Sequence, residues 1–271
     1  MDITHLAAVA AYLGVGLLAG FLAGLLGVGG GIVMVPLLLF VFDFLGYRNP
    51  DVLFHVAAGT SLAVIIPTAL SSARTHTRHG SVLWPRVLAM APAGILAVHL
   101  ASIVASRTAG HTLKTAFGVL LLVVSTQMIF FTPRPRPGPP PVPPWLAFTL
   151  TGSVAGALSF FFGIGGGVAA VPMLVLLLGT PIHVAVGTSS ALIVFLALYG
   201  TVRNLMVGMG APGLPEFSAG YVNWLAAACA MPTSIFMARV GANVAQRTPA
   251  ATLRRVFAVF LALEGIRLAL G

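Results

Sequence analysis

Charge is what this sequence has least of. Only 7% of its 271 residues are charged, against about 25% in an ordinary soluble domain. Acids are the scarcest class, with Asp+Glu at 5 against Lys+Arg at 14. So few charges cannot solvate the surface of a soluble domain this long. A hydrophobic share of 58% equally excludes a disordered chain. The single cysteine, Cys229, lies in an apolar run. That rules out an intrachain disulfide and a cysteine-based metal site. Lys and Arg are missing ahead of the first apolar run, where only Asp2 and His5 stand. A secretory signal wants a positive start, so Leu6–Leu26 reads as a permanent membrane segment. Alternating apolar runs are also missing, which argues against a membrane β-barrel. What remains is an all-α polytopic membrane protein. The net charge of +9 has no basic soluble segment to carry it, so nucleic acid is not an expected partner. It reads instead as the charge bias of a membrane protein's cytoplasmic side.

The apolar segments run as Leu6–Leu26, Ile32–Phe42, Val52–Ser72, Val82–Ala105 and Thr112–Phe131. Thr132–Pro144 follows, with eight prolines and two arginines; it reads as an extended spacer, because proline removes donors and clashes with the preceding turn. The second half gives Trp145–Phe162, Val168–Leu178, Ile182–Leu205, Tyr221–Val240 and Ala251–Leu270. The expected organisation is a first repeat over 1–131, a linker over 132–144 and a second repeat over 145–271.

The halves match in order. Gly27-Val28-Gly29-Gly30-Gly31 matches Gly163-Ile164-Gly165-Gly166-Gly167, and Pro36 matches Pro172. His55-Val56-Ala57-Ala58-Gly59-Thr60-Ser61 matches His183-Val184-Ala185-Val186-Gly187-Thr188-Ser189 in six of seven positions. Pro92 matches Pro232, and Arg107, Leu113 and Phe117 match Arg247, Leu253 and Phe257. Duplication of this kind is typical of secondary transporters, with the site between the repeats.

The segments after the glycine clusters are short, roughly 17 Å at helical rise, against a hydrocarbon core of about 30 Å. If each cluster turns the chain back, every repeat crosses an odd number of times and the repeats are inverted. If each only breaks one crossing, the repeats are parallel. Of the 14 basic residues, the inverted arrangement places nine inside, among them Arg74, Arg78, Arg86 and Arg239, and five outside; the parallel one splits them evenly. The positive-inside rule favours inversion, with the linker cytoplasmic and about 8–10 membrane segments in all.

Four glycines in five residues are costly inside a helix. In lipid, the freed backbone also needs partners. The expectation is two helix breaks whose amides face a cavity, each at the positive N-terminus of the next helix. The candidate substrate-binding residues are therefore Gly29, Gly30 and Gly31 with Gly165, Gly166 and Gly167. Thr60 and Ser61 with Thr188 and Ser189 join them as hydroxyl donors to an anion's oxygens. Tight packing through small residues and hydroxyls bonded to their own helix are the alternative readings. His55 and His183 are candidates for proton handling or substrate contact. No metal site, cofactor or catalytic residue is expected. Glu264 is an acid inside an apolar segment, with Arg267 three positions on, which reads as a functional acid or an ion pair near the helix end.

At these glycine breaks, and at the runs Ala57–Ser61 and Ala185–Ser189, the sequence resembles the TauE/SafE family of sulfite and organosulfonate exporters. Arg78-His79-Gly80-Ser81-Val82-Leu83-Trp84 and Leu113-Lys114 with Phe117 are similar to further stretches of that family. The resemblance implies a multi-pass carrier of small sulfur-containing or carboxylate anions in the bacterial inner membrane. It also implies about eight spanning segments, which re-entrant glycine hairpins would reconcile with ten apolar runs. The expected function is export of sulfite or an organosulfonate, the anion held between the repeats by helix N-termini and hydroxyls. An importer or carrier of other organic anions and an anion channel stay open as alternatives; a membrane enzyme is the reading from a different class.

Overall fold

The computed structural model describes residues 3–26, 30–130, 142–247 and 250–270. Gly29, a candidate site residue, and most of the proline-rich linker lie outside the described residues. The chain forms α1 (Ile3–Leu26), α2 (Gly31–Phe44), α3 (Pro50–Arg78), α4 (Trp84–Ala105) and α5 (Gly110–Phe130). After the linker come α6 (Pro144–Phe162), α7 (Gly167–Leu178), α8 (Ile182–Val207), α9 (Trp224–Arg247) and α10 (Ala250–Leu270). Seven helices among the described residues are long and apolar enough to cross a membrane; α2 and α7 are shorter. At 14 and 12 residues they reach only about 20 Å.

The expected segments lie within a few residues of these helices, with one local correction. Tyr221–Val240 was expected to be apolar helix from its first residue. Instead Ser218–Ala219 and Val222–Asn223 form a small antiparallel ladder, and α9 starts at Trp224. The reason is polar: Asn223 Oδ1 accepts from Ala226 N at 2.8 Å and so caps the helix. Its Nδ2 group donates to Glu216 O at 2.8 Å, closing the preceding loop.

Between α1 and α2 the chain doubles back. Gly30 sits against Ala23 and the Ala19 carbonyl, whereas Phe42, near the other end of α2, packs edge-on to Tyr12 at 6.2 Å. Hence α2 runs antiparallel to α1 and returns to the side on which α1 began. Gly30 takes φ +77°, which a residue with a Cβ adopts at a cost.

Helices from the two halves pair reciprocally. The α1 helix packs on α9 and α6 on α4, while α3 packs on α8 and α5 on α10. Small residues make these approaches close. Gly16 lies on Ala230 and Gly20 on Ser234, just as Gly152 lies on Met90 and Gly156 on Gly94. These two pairs run parallel. The other two are antiparallel. In α3 and α8, Gly59 meets Asn204 at one end and Ser72 meets Ser190 at the other. In α5 and α10, Gly118 meets Gly265 and Ala269, and Ser125 donates to Ala258 O. Most buried apolar residues of both halves form one large cluster, and Leu62, Ile65, Ala69, Ile193 and Ala197 form a smaller one between α3 and α8.

Candidate functional site

The α3–α8 pair at the centre carries the Gly-Thr-Ser runs. Their hydroxyls reach across the molecule. Thr188 Oγ1 accepts from Leu83 N at 3.1 Å, immediately before α4. Thr60 Oγ1 accepts from Asn223 N at 2.9 Å, immediately before α9. Both threonines are fully buried. The preceding glycines admit the same two chains. A Cβ on Gly187 would run into Ser81 O, and one on Gly59 into Tyr221 O. Each Gly-Thr pair therefore receives and caps a helix entry of the opposite half.

The glycine breaks meet beside them. A Cβ on Gly31 would stand 2.6 Å from Ile164 Cα and 2.8 Å from Gly163 O. Ser61 Oγ donates to Gly163 O at 2.7 Å, while Ser189 Oγ is buried without a partner among the described residues. Gly165 faces Ile65 and Ile193, and Gly166 lies on the Ala155 carbonyl at the start of α7. Gly167 is the first residue of α7.

Above this crossing lies a cavity of about 460 Å³ between α1, α3, α8 and α9. Gly30 and Met34 stand at its buried inner end, and Ile65 and Ile193 join its wall. Its outer end is exposed at Thr75 and Arg239. Hydroxyls line the way in: Thr68, Ser72, Ser190 and Ser234. Ser72 Oγ donates to Ser190 Oγ at 3.1 Å, and Ser190 donates on to Val186 O. Among the described residues of the lining, Arg239 and His76 are the basic side chains and none is Asp or Glu. The inner end meets the N-terminus of α2, whose first amides precede the helix's own hydrogen-bond ladder. Positive potential thus stands at both ends of the cavity.

Of the sequence candidates, Gly30 lines the cavity directly, and Gly31, Ser61 and Gly165 build the layer beneath it. Thr60 and Thr188 brace that layer from outside. The paired histidines are not brought together. His55 is buried, stacked on Tyr221 at 4.9 Å with Nε2 3.2 Å from Thr108 O. His183 is exposed. Glu264 pairs with Arg267 at 3.1 Å, and that guanidinium reaches Pro36 O of α2 at 3.5 Å. Thr68, Ser72, His76 and Arg239 are lining residues that the sequence reading misses. A signal for three of them was present, because Thr68, Ser72 and His76 recur every fourth residue and so share one helix face.

The family described as sulfite exporter TauE/SafE matches residues 12–268. A probable membrane transporter protein of Haemophilus influenzae is 33% identical over 254 residues, covering 94% of this chain and 95% of the relative. The probable membrane transporter protein YunE of Bacillus subtilis is 29% identical over 280 residues, covering 93% and 94%. A probable membrane transporter protein of Xylella fastidiosa is 34% identical over 180 residues, covering 65% and 66%. No solved structure matches. The chain belongs to the TauE/SafE sulfite exporter family and is a multi-pass membrane transporter.

Proposed function

We propose that this protein exports a small sulfur-containing oxyanion, sulfite or an organosulfonate, across the bacterial inner membrane. The cavity is the entry site. One observation carries the reading: the cavity has Arg239 at its mouth, a helix N-terminus at its floor, hydroxyls between them and no carboxylate in its lining. Such a site attracts an anion and supplies donors to its oxygens without a paired countercharge. Gly30 and Gly31 present the amides at the floor, with Ser190 and Ser72 on the wall. Thr60, Ser61 and Thr188, with Gly165, Gly166 and Gly167, hold the two breaks in register.

The two halves are an inverted duplication in this reading. Exchanging α1–α5 for α6–α10 maps the four pairs above among themselves: α1–α9 onto α6–α4, and α3–α8 and α5–α10 onto themselves. The self-mapped pairs are antiparallel, as an axis lying in the membrane plane requires; an axis along the membrane normal would leave them parallel. The cavity opens at the end holding Arg74, Arg78, Arg86 and Arg239, which the positive-inside rule makes cytoplasmic. Substrate then enters from the cell interior. The membrane potential drives it out by about 2.3 kcal/mol per charge per 100 mV.

The test is binding and flux of sulfite with purified protein. Saturable binding in detergent and saturable efflux from liposomes are expected, with competition from small sulfonates. Absence of sulfite binding at millimolar concentration, with an organic carboxylate bound instead, overturns the substrate assignment.

A further inference from the structure

The cavity described above opens at the end holding Arg239, and the reciprocal packing of the halves supplies the frame for a second. Taking the matched positions of the halves, Gly30 corresponds to Gly166, Ala23 to Ser159, Ser72 to Gly200 and Thr75 to Arg203. Arg239 corresponds to His99 and Ser234 to Gly94. In the present conformation this second region is shut. A Cβ on Gly94 would stand 2.7 Å from Leu196 Cδ2 and 3.1 Å from Gly152 O; one on Gly200 would meet Leu62 and Phe160. The α8 helix is thus packed onto both α4 and α6. On the open side, the cavity separates α3 from α1, and Thr68 stands in the place that Leu196 fills opposite.

The shut region keeps polar groups that closure does not explain. Ser159 Oγ is fully buried and has no hydrogen-bond partner among the described residues. An orphaned buried hydroxyl costs about 1–3 kcal/mol, and a neighbouring water-filled state would relieve it. Toward the outer end, His99 Nδ1 lies 2.9 Å from Tyr199 Oη. Arg203 Nε donates to Ser102 Oγ at 2.9 Å. A cation and a histidine therefore stand where Thr75 and Arg239 stand at the open mouth. Arg203, His99 and their partners lie toward the end of the molecule opposite Arg74 and Arg239, since α8 runs antiparallel to α3.

We infer that this shut region is the exit site for the transported oxyanion. It opens when Leu196 of α8 leaves Gly94 of α4, and Ser159, Tyr199 and Arg203 then meet the anion as it departs. The inference rests on the proposed anion-export function for its ligand, but not for its geometry. In the open exit, the Ser159 hydroxyl gains a water or anion partner. Arg203 releases Ser102, and His99 releases Tyr199. The chemistry required of the ligand is that of the entry site: a compact oxyanion that accepts several hydrogen bonds.

The experiment uses the full chain in whole cells. Ser159→Cys and, separately, Tyr199→Cys are made in a Cys229→Ala background and treated with a membrane-impermeant thiol reagent from outside. Both cysteines should be modified, and at least fivefold faster when Leu196→Ala is added. In parallel, Arg203→Gln should cut sulfite efflux at least fivefold while leaving sulfite affinity of the detergent-purified protein within twofold of the parent. Ser159→Cys and Tyr199→Cys that both stay unmodified in proteins that still transport overturn the exit site. So does Leu196→Ala with no effect on the labelling rate. If purified wild-type protein binds no sulfite yet the cysteines are labelled as expected, the substrate reading fails and the exit path stands.

Discussion

Ser61 of α3 donates its hydroxyl to the carbonyl of Gly163, 2.7 Å away, and so ties the Gly-Thr-Ser run of one half to the glycine break of the other. Gly163 follows the last residue of α6, and its φ of +65° is left-handed. Its carbonyl has no continuing helix to serve, and Ser61 satisfies it in a buried place. Ser61→Ala removes that donor. The cost is expected at about 1–3 kcal/mol, with the glycine break loosened beneath the cavity floor. Thermal unfolding in detergent should show the loss, and Ser61→Thr should recover part of it.

Thr60 and Thr188 give a sharper test, because the structure separates hydroxyl function from side-chain shape. Valine keeps the shape and strands the amide of Asn223 or Leu83 inside the protein. Each Thr→Val change is expected to destabilise by roughly 1–2 kcal/mol, as for a lost helix cap. The two losses should add, since the sites lie on different elements. Thr→Ser at either site keeps the acceptor and should cost less. Equal melting temperatures for the valine and serine variants would show that the capping bonds carry no weight.

Helix boundaries were legible in the sequence because their causes are local. The break at Phe162–Gly167 follows from glycine's freedom, whereas α3, capped by Asn49 and opened by Pro50, starts two residues ahead of the segment read from Val52. The cavity was less legible. Its lining comes from α1, α2, α3, α8 and α9, and which face of each helix turns inward depends on packing between distant segments. The partner of Thr60 is 163 residues away and that of Thr188 is 105 away; hydroxyls paired by sequence read as ligand donors until those backbone amides are seen. His55 and His183 show the limit of the repeat. They match by position, but Tyr221 and Thr108 bury one while the other stays exposed.

Arg239 stands exposed at the cavity mouth, where its charge is partly screened. Arg239→Gln should weaken sulfite binding by about fivefold, or ~1 kcal/mol, the scale of an exposed charge interaction. The difference from wild type should shrink as salt rises, because screening over a Debye length of about 8 Å removes the same interaction. Arg239→Lys should retain most of the affinity. A titration in which Arg239→Gln binds as wild type at low salt removes this arginine from the entry site.

Inverted topology makes a sidedness prediction that does not depend on the substrate. His79 follows α3 at the arginine-rich end, and Met209 follows α8 at the other. Both are exposed. In a Cys229→Ala background, Met209→Cys should react with an impermeant thiol reagent added to intact cells, and His79→Cys only after the cells are opened. Reaction of His79→Cys in intact cells would reverse the orientation and make the cavity an entrance from outside.

Two glycines at opposite ends of α2 should respond very differently to alanine. At Gly46, φ is +85° but the space around it is open, so Gly46→Ala meets only the intrinsic cost of a left-handed residue, about 1–2 kcal/mol. At Gly31 the backbone is helical, yet a Cβ would stand 2.6 Å from Ile164 Cα and 2.8 Å from Gly163 O. Those are backbone atoms of the opposite break, and no side chain can rotate to make room. Gly31→Ala must force α2 and the 163–166 turn apart, against overpacking costs of typically 1–3 kcal/mol or more. It also displaces the α2 N-terminus from the cavity floor. The expected result is a protein that loses sulfite binding with Gly31→Ala and keeps it with Gly46→Ala, at comparable yields of folded protein in detergent. Wild-type affinity in a folded Gly31→Ala variant would show that the meeting of the two glycine breaks does not shape the anion site.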